Sequence, residues 1–78
     1  MGKTLNERRA ELTEKVKAAR QEFFNIERML KHDVRKAHPD MDWWEQMSLV
    51  ETDPRYQVAN ARLLALCDAA NIMGAEIF

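Results

Sequence analysis

The chain has 78 residues, of which 46% are apolar and 32% charged, and its formal net charge is −1. This length supports one small domain over residues 1–78, and the composition excludes a disordered chain and a membrane protein. The N-terminus has no apolar signal stretch, and the single cysteine, Cys67, excludes an internal disulfide framework. We therefore expect an intracellular, cytoplasmic protein.

The first predicted helix, about residues 5–38, shows the strongest pattern in the chain. Its apolar residues recur at alternating steps of three and four, which is typical of helices that pack lengthwise on another helix. Arg9 and Asp33 interrupt this heptad pattern near its two ends. The tight seam is therefore predicted to consist of Leu12, Val16, Ala19, Phe23, Ile26 and Leu30.

Capping residues and prolines set the predicted helix boundaries. Thr4, with Glu7 three residues later, or alternatively Asn6, can cap the first helix. Pro39 should end that helix, because the residue before a proline avoids the helical region. Asp40 is then the expected cap of a short second helix, about residues 41–50.

The second and third predicted helices carry most of the remaining apolar residues. In the second helix Met41, Trp44, Met47 and Val50 recur at helical spacing, and Trp43 falls off that stripe. Asp53 and Pro54 form a cap and first-turn signal for a third helix, about residues 54–73. The third helix is apolar on more than one side, so it needs cover on more than one side. The first helix can cover one side only, and a second subunit or a partner protein is expected to cover another.

Charge is divided between the two halves of the chain. Residues 1–38 carry ten Lys or Arg and six Asp or Glu, whereas residues 39–78 carry two and seven. An antiparallel hairpin that sets a basic helix beside an acidic one accounts for this division. The alternative is a binding patch at the basic end of the first helix, formed by Arg28, Lys31, His32, Arg35 and Lys36.

The tripeptide His38-Pro39-Asp40 follows this basic segment and precedes another helix. It resembles the loop with which J-domains stimulate their chaperone partner. The preceding residues lack the aromatic and leucine pattern of that family's second helix, and no separate short helix precedes the first one. We therefore interpret the tripeptide as a helix stop and cap, and assign the chain to no family.

These patterns predict an all-α protein: a long antiparallel helical hairpin with a short connecting helix, which completes a bundle by self-association. No catalytic, cofactor-binding or metal-binding constellation emerges, so we expect a non-enzymatic adaptor, regulator or inhibitor that binds another protein, itself, or both. The alternative is a nucleic-acid-binding helical dimer that uses the basic patch. The predicted partner-binding residues are Trp43, Trp44, Met47, Tyr56, Ile77 and Phe78.

Overall fold

The computed structural model describes residues 2–77 and contains three helices: α1 (Leu5–Ala37), α2 (Trp43–Glu51) and α3 (Pro54–Met73). Helix α3 runs antiparallel along α1, and the short α2 packs on the C-terminal part of α1, where the hairpin turns. The described residues include no strand. The molecule measures 57 × 19 × 16 Å. The predicted all-α hairpin with a short connecting helix is therefore confirmed.

The core lies along the contact between α1 and α3. On α1, Val16, Ala19 and Leu30 are buried, and they lie on the seam predicted from the heptad spacing. On α3, the buried residues are Ala59 and Ala70. Full burial of a Val or Leu side chain contributes about 1.5–3 kcal/mol. Val50 of α2 is also buried, so the core is narrow and extends under the short helix.

Side-chain oxygens cap the start of both long helices, as the sequence predicts. Thr4, rather than the alternative Asn6, caps α1, and its hydroxyl accepts a hydrogen bond from the Glu7 backbone N–H at 3.2 Å. Asp53 caps α3 and accepts from the Arg55 backbone N–H at 2.8 Å. Each cap satisfies a backbone donor that the helix itself cannot satisfy.

The predicted start of the second helix is wrong by two residues. The cap is Asp42, which accepts a hydrogen bond from the Glu45 backbone N–H at 2.8 Å, and not Asp40. The chain first makes a turn in which the Met41 backbone N–H donates to the His38 carbonyl at 3.2 Å. Because this turn occupies the residues directly after the first helix, α2 begins only at Trp43.

A left-handed glycine ends α3. Gly74 has φ 71° and ψ 26°, and the following Ala75 backbone N–H donates to the Ala70 carbonyl at 2.8 Å. This is the Schellman geometry, which favours glycine because the left-handed region strains residues with a Cβ. The Nε of Arg9 donates to the Met73 carbonyl at 2.6 Å. The arginine that interrupts the predicted heptad thus binds the C-terminal end of α3.

The C-terminal segment 74–77 folds back along α1. The Thr13 hydroxyl donates to the Glu76 carbonyl at 2.7 Å, and the Arg20 guanidinium donates to the Ile77 carbonyl. Successive carbonyls of the segment thus accept hydrogen bonds from residues further along α1, Thr13 and then Arg20. The segment covers one side of the hairpin near the start of α1.

Candidate functional site

Two tryptophans lie exposed at the first turn of α2. Trp43 is 54% exposed and Trp44 is 76% exposed. Their ring centroids are 4.7 Å apart and the rings are inclined by 80°, an edge-to-face arrangement. Large aromatic side chains normally contribute to a core, so exposure of both indole rings marks this end of the hairpin as a candidate binding surface.

The orientation of the two tryptophans differs from the prediction. We predicted that Trp44 lies on the stripe with Val50, yet Trp43 lines a small depression with Met47 and Val50, and Trp44 points away from it. Three residues of a helix turn about 60° less than a full circle. Trp44 and Val50 are two such steps apart, so they lie far apart around α2. Trp43 lies seven residues before the buried Val50, which places the two residues on the same face.

Basic residues of α1 line the same depression. Lys31, Val34 and Arg35 face the α2 residues Trp43 and Met47 across it. Part of the predicted partner-binding set therefore meets part of the predicted basic patch. We call this surface the tryptophan end; it consists of Lys31, Val34, Arg35, Trp43, Trp44 and Met47.

The remaining basic-patch residues lie on the same part of α1 as Lys31 and Arg35. Arg28, His32 and Lys36 are exposed, as is Arg35 of the tryptophan end. Lys31 lies 3.2 Å from a Glu27 carboxylate oxygen. In the described part of the chain, no ion pair includes Arg28, Arg35 or Lys36. This end of α1 therefore presents positive charge next to exposed indole rings.

The other predicted partner-binding residues lie elsewhere. Tyr56 is half-buried, with its ring centroid 5.0 Å from that of Phe23, and burial raises the pKa of its hydroxyl above the ordinary value. Ile77 is half-buried in the segment folded along α1, toward the opposite end of the hairpin. Phe78 lies outside the described residues. The six predicted residues thus do not form one surface.

The second apolar side expected of α3 is its outward face, whose residues the sequence analysis did not name. Val58, Leu64 and Ile72 are 69%, 56% and 86% exposed on this face. A second series of alternating three- and four-residue steps runs along it, which is the signal that could have identified it. We call this series the outer seam; it consists of Pro54, Val58, Ala61, Ala65, Asp68 and Ile72, all exposed.

An open groove between α1 and α3 borders the outer seam. Two depressions of about 450 and 340 Å³ lie along it, and Glu22 and Arg62 line both. Their side chains form an ion pair between the two helices, 3.4 Å apart. Val58 and Ala65 of the outer seam also line the groove. The 74–77 segment does not line either depression, so this side of the hairpin remains open along its middle.

Comparison with known proteins found no match: no family model, no curated protein and no solved structure resembles the chain. Within residues 2–77, no three His, Cys, Asp or Glu side chains lie together in a way that would hold a metal ion. Over the same residues, no helix is both long and apolar enough to cross a membrane. The chemistry that the described surface offers is that of exposed indole rings and aliphatic side chains with neighbouring cations.

Proposed function

We propose that the protein is a non-enzymatic helical interaction module that binds a larger protein through its tryptophan end. In this function it acts as an adaptor, a regulator or an inhibitor that occludes part of its partner's surface. The observation that carries the proposal is the exposure of both tryptophans, Trp43 and Trp44, at the end where the hairpin turns. Tryptophan is enriched among the residues that contribute most to protein–protein affinity.

The residues around the tryptophans indicate the chemistry of the partner. Lys31 and Arg35 lie beside the depression that Trp43 lines, and Arg28 and Lys36 add charge nearby. A complementary surface would combine an apolar pocket for an indole ring with acidic residues around it. The acidic residues would hasten encounter and orient the partner, and burial of the indole would supply most of the affinity.

The protein's own fluorescence tests this proposal. Trp43 and Trp44 are the two tryptophans of the chain, so emission from the protein reports on the proposed site alone. A protein captured from cell extract on the immobilised chain would be purified and titrated against it. We expect a shift of the emission on binding, because the partner removes the indole rings from water.

Two variants make the experiment specific. Trp44→Ala should retain the fold, because the side chain is largely exposed, and should weaken binding of the purified partner about tenfold or more. Leu5→Ala is the matched control, since Leu5 is also exposed but lies at the opposite end of the hairpin. Equal affinity of the Trp44→Ala variant and the unmodified chain would overturn the proposal.

Nucleic-acid binding is a second candidate, favoured by the exposed Arg28, Arg35 and Lys36, which enter no ion pair in the described part of the chain. The exposed acidic residues Asp42 and Glu45 begin the helix packed beside them and would repel phosphates. Titration with labelled DNA and RNA at several salt concentrations separates the two candidates. Affinity that falls steeply with salt, and is lost in Arg35→Glu but kept in Trp44→Ala, would establish nucleic-acid binding instead.

A further inference from the structure

A row of side chains on α1 leads away from the tryptophan end. Phe24, Arg28, Lys31 and Arg35 follow steps of four, three and four residues, so they lie on one face of the helix. Phe24, Arg28 and Arg35 are exposed, and Lys31 is half-buried. The row is about 16 Å long at ~1.5 Å per residue. We call these four residues the basic row.

Lys31 joins the basic row to the tryptophan end. It lines the depression that Arg35 and Trp43 line, and it also lines a second depression, of about 290 Å³, with Phe24 and Arg28. Phe24 is 49% exposed, so a phenyl ring is accessible at one end of the row, as the indole rings are at the other. The two aromatic sites therefore belong to one continuous surface with cations between them.

We propose that the basic row binds an acidic helix of the partner protein, which lies lengthwise on α1 from the tryptophan end to Phe24. This rests on the proposed function, because it extends the same contact. Stable protein–protein interfaces bury about 800 Å² on each partner and involve roughly 20–30 residues a side. The tryptophan end consists of six residues, so the contact has to continue onto neighbouring ones.

The charges of the two helices select α1 as the direction of this extension. The other direction leads over α2, where the charged residues, Glu45 and Glu51, and the cap, Asp42, are all acidic. The basic row carries three cations, and within residues 2–77 neither Arg28 nor Arg35 enters an ion pair. Carboxylates on the basic row would meet arginine, whereas carboxylates on α2 would meet carboxylates. An acidic segment is therefore attracted to α1 and repelled by α2.

Glu27 favours a protein over a row of phosphates. Its carboxylate lies 3.2 Å from the Lys31 ammonium and lines the same depression as Phe24. A partner protein can set a lysine or an arginine against Glu27, whereas a nucleic acid or an anionic lipid surface offers only more negative charge there. A helix fits the row because its side chains also recur at steps of three and four residues. Its carboxylates and one apolar residue can thus stand opposite the cations and Phe24.

A synthetic helical peptide tests this surface directly. It carries glutamate and leucine at steps of three and four residues along one face, and a scrambled peptide of the same composition is its control. Binding is followed by tryptophan emission and by NMR of the isotope-labelled chain. We expect the peptide to shift the backbone signals of Phe24 and Arg28 together with the indole signals of Trp43 and Trp44. The scrambled peptide should bind about tenfold more weakly or less.

Phe24→Ala and Met29→Ala form a matched pair of variants. The two side chains are 49% and 44% exposed, and five residues place Met29 about 140° around α1 from Phe24. Both variants should keep the helix content of the unmodified chain. Phe24→Ala should weaken binding of the peptide about tenfold, and Met29→Ala should leave it unchanged. Arg28→Glu, also at an exposed position, should weaken it as well and reduce its dependence on salt.

The outcomes separate this proposal from the proposed function. Loss of affinity in Trp44→Ala but not in Phe24→Ala or Arg28→Glu would confine the contact to the tryptophan end and overturn the acidic-helix proposal alone. Equal affinity for the scrambled peptide, or no binding at about 0.1 mM, would overturn it too and leave the binding of a captured partner to decide the proposed function. Tighter binding of oligothymidylate, or of phosphatidylserine vesicles, than of the peptide would assign the basic row to phosphates instead.

Discussion

The two faces of α3 have the same periodicity and different neighbours. The inner face, Tyr56, Ala59, Leu63, Leu66, Ala70 and Met73, packs along α1 and is buried or half-buried. The outer seam has the same alternating steps and an equal share of small residues, yet every member is exposed. Periodicity therefore identifies a face that is suited to helix packing, whereas only the arrangement of the chain decides which face the protein covers by itself.

Leucine truncation on each side of the hairpin should give the largest contrast. Leu30→Ala should lower the free energy of unfolding by about 2–5 kcal/mol, because removal of the buried side chain leaves a cavity in the core. Leu64→Ala, on the exposed side of α3, should cost only about 0.5 kcal/mol in dilute protein. Urea unfolding followed by circular dichroism measures both. Similar losses at the two positions would mean that Leu64 contributes to the core.

Replacement of an alanine by leucine should change stability differently on the two faces of α3. Ala70→Leu should cost about 1–3 kcal/mol, because Ala70 is completely buried against α1 and the larger side chain forces it apart. Ala65→Leu should leave the stability of the dilute chain within about 0.5 kcal/mol, because Ala65 is exposed. A stability loss in dilute Ala65→Leu equal to that of Ala70→Leu would contradict the contrast.

Replacement of Gly74, which ends α3, by alanine should lower stability more than the same replacement of Gly2. Gly74→Ala should cost about 1–2 kcal/mol, because φ 71° is strained for a residue with a Cβ. A Cβ there would lie no closer than 3.6 Å to the Arg9 side chain, so the cost comes from the backbone and not from a clash. Gly2→Ala should be neutral. Thermal melts of both variants measure the difference, and equal melting temperatures would argue against the left-handed turn.

Removal of the N-terminal cap of α2 should give the smallest of these contrasts in stability. It should leave both faces of α3 unchanged. Asp42→Ala removes the acceptor of the Glu45 backbone N–H and should cost about 0.5–2 kcal/mol, whereas Asp42→Asn should cost less. Asp40→Ala should be near neutral, because Asp40 does not cap the helix. Tryptophan emission measures the change locally, since Trp43 and Trp44 form the first turn of α2. A larger loss in Asp40→Ala than in Asp42→Ala would restore the boundary predicted from the sequence.

Residues whose effect depends on their immediate neighbours were predictable from the sequence. Thr4 and Asp53 cap the helices that they precede, and the steps from Leu12 to Leu30 mark the inner seam of α1. The start of α2 was not predictable, because Asp40 and Asp42 are equally good caps by residue type. The turn between His38 and Met41 decides between them, and it depends on how the chain reverses direction.

The candidate site was less predictable than the fold. Aromatic and methionine content grouped Trp43, Trp44 and Met47, which share α2, with Tyr56 and Ile77, which tertiary packing separates from them. The hydrogen bond of Arg9 to the end of α3 could not be predicted for the same reason. Its acceptor, the Met73 carbonyl, is 64 residues away in the chain and comes near only after the hairpin closes.

The narrow form of the hairpin affects how its mass can be measured. Its radius of gyration is 16.2 Å, whereas a compact chain of this length would have about 11.5 Å. A monomer of this shape therefore elutes from a gel-filtration column ahead of globular standards of equal mass and would be mistaken for a dimer. Light scattering on the eluting peak reads mass without regard to shape.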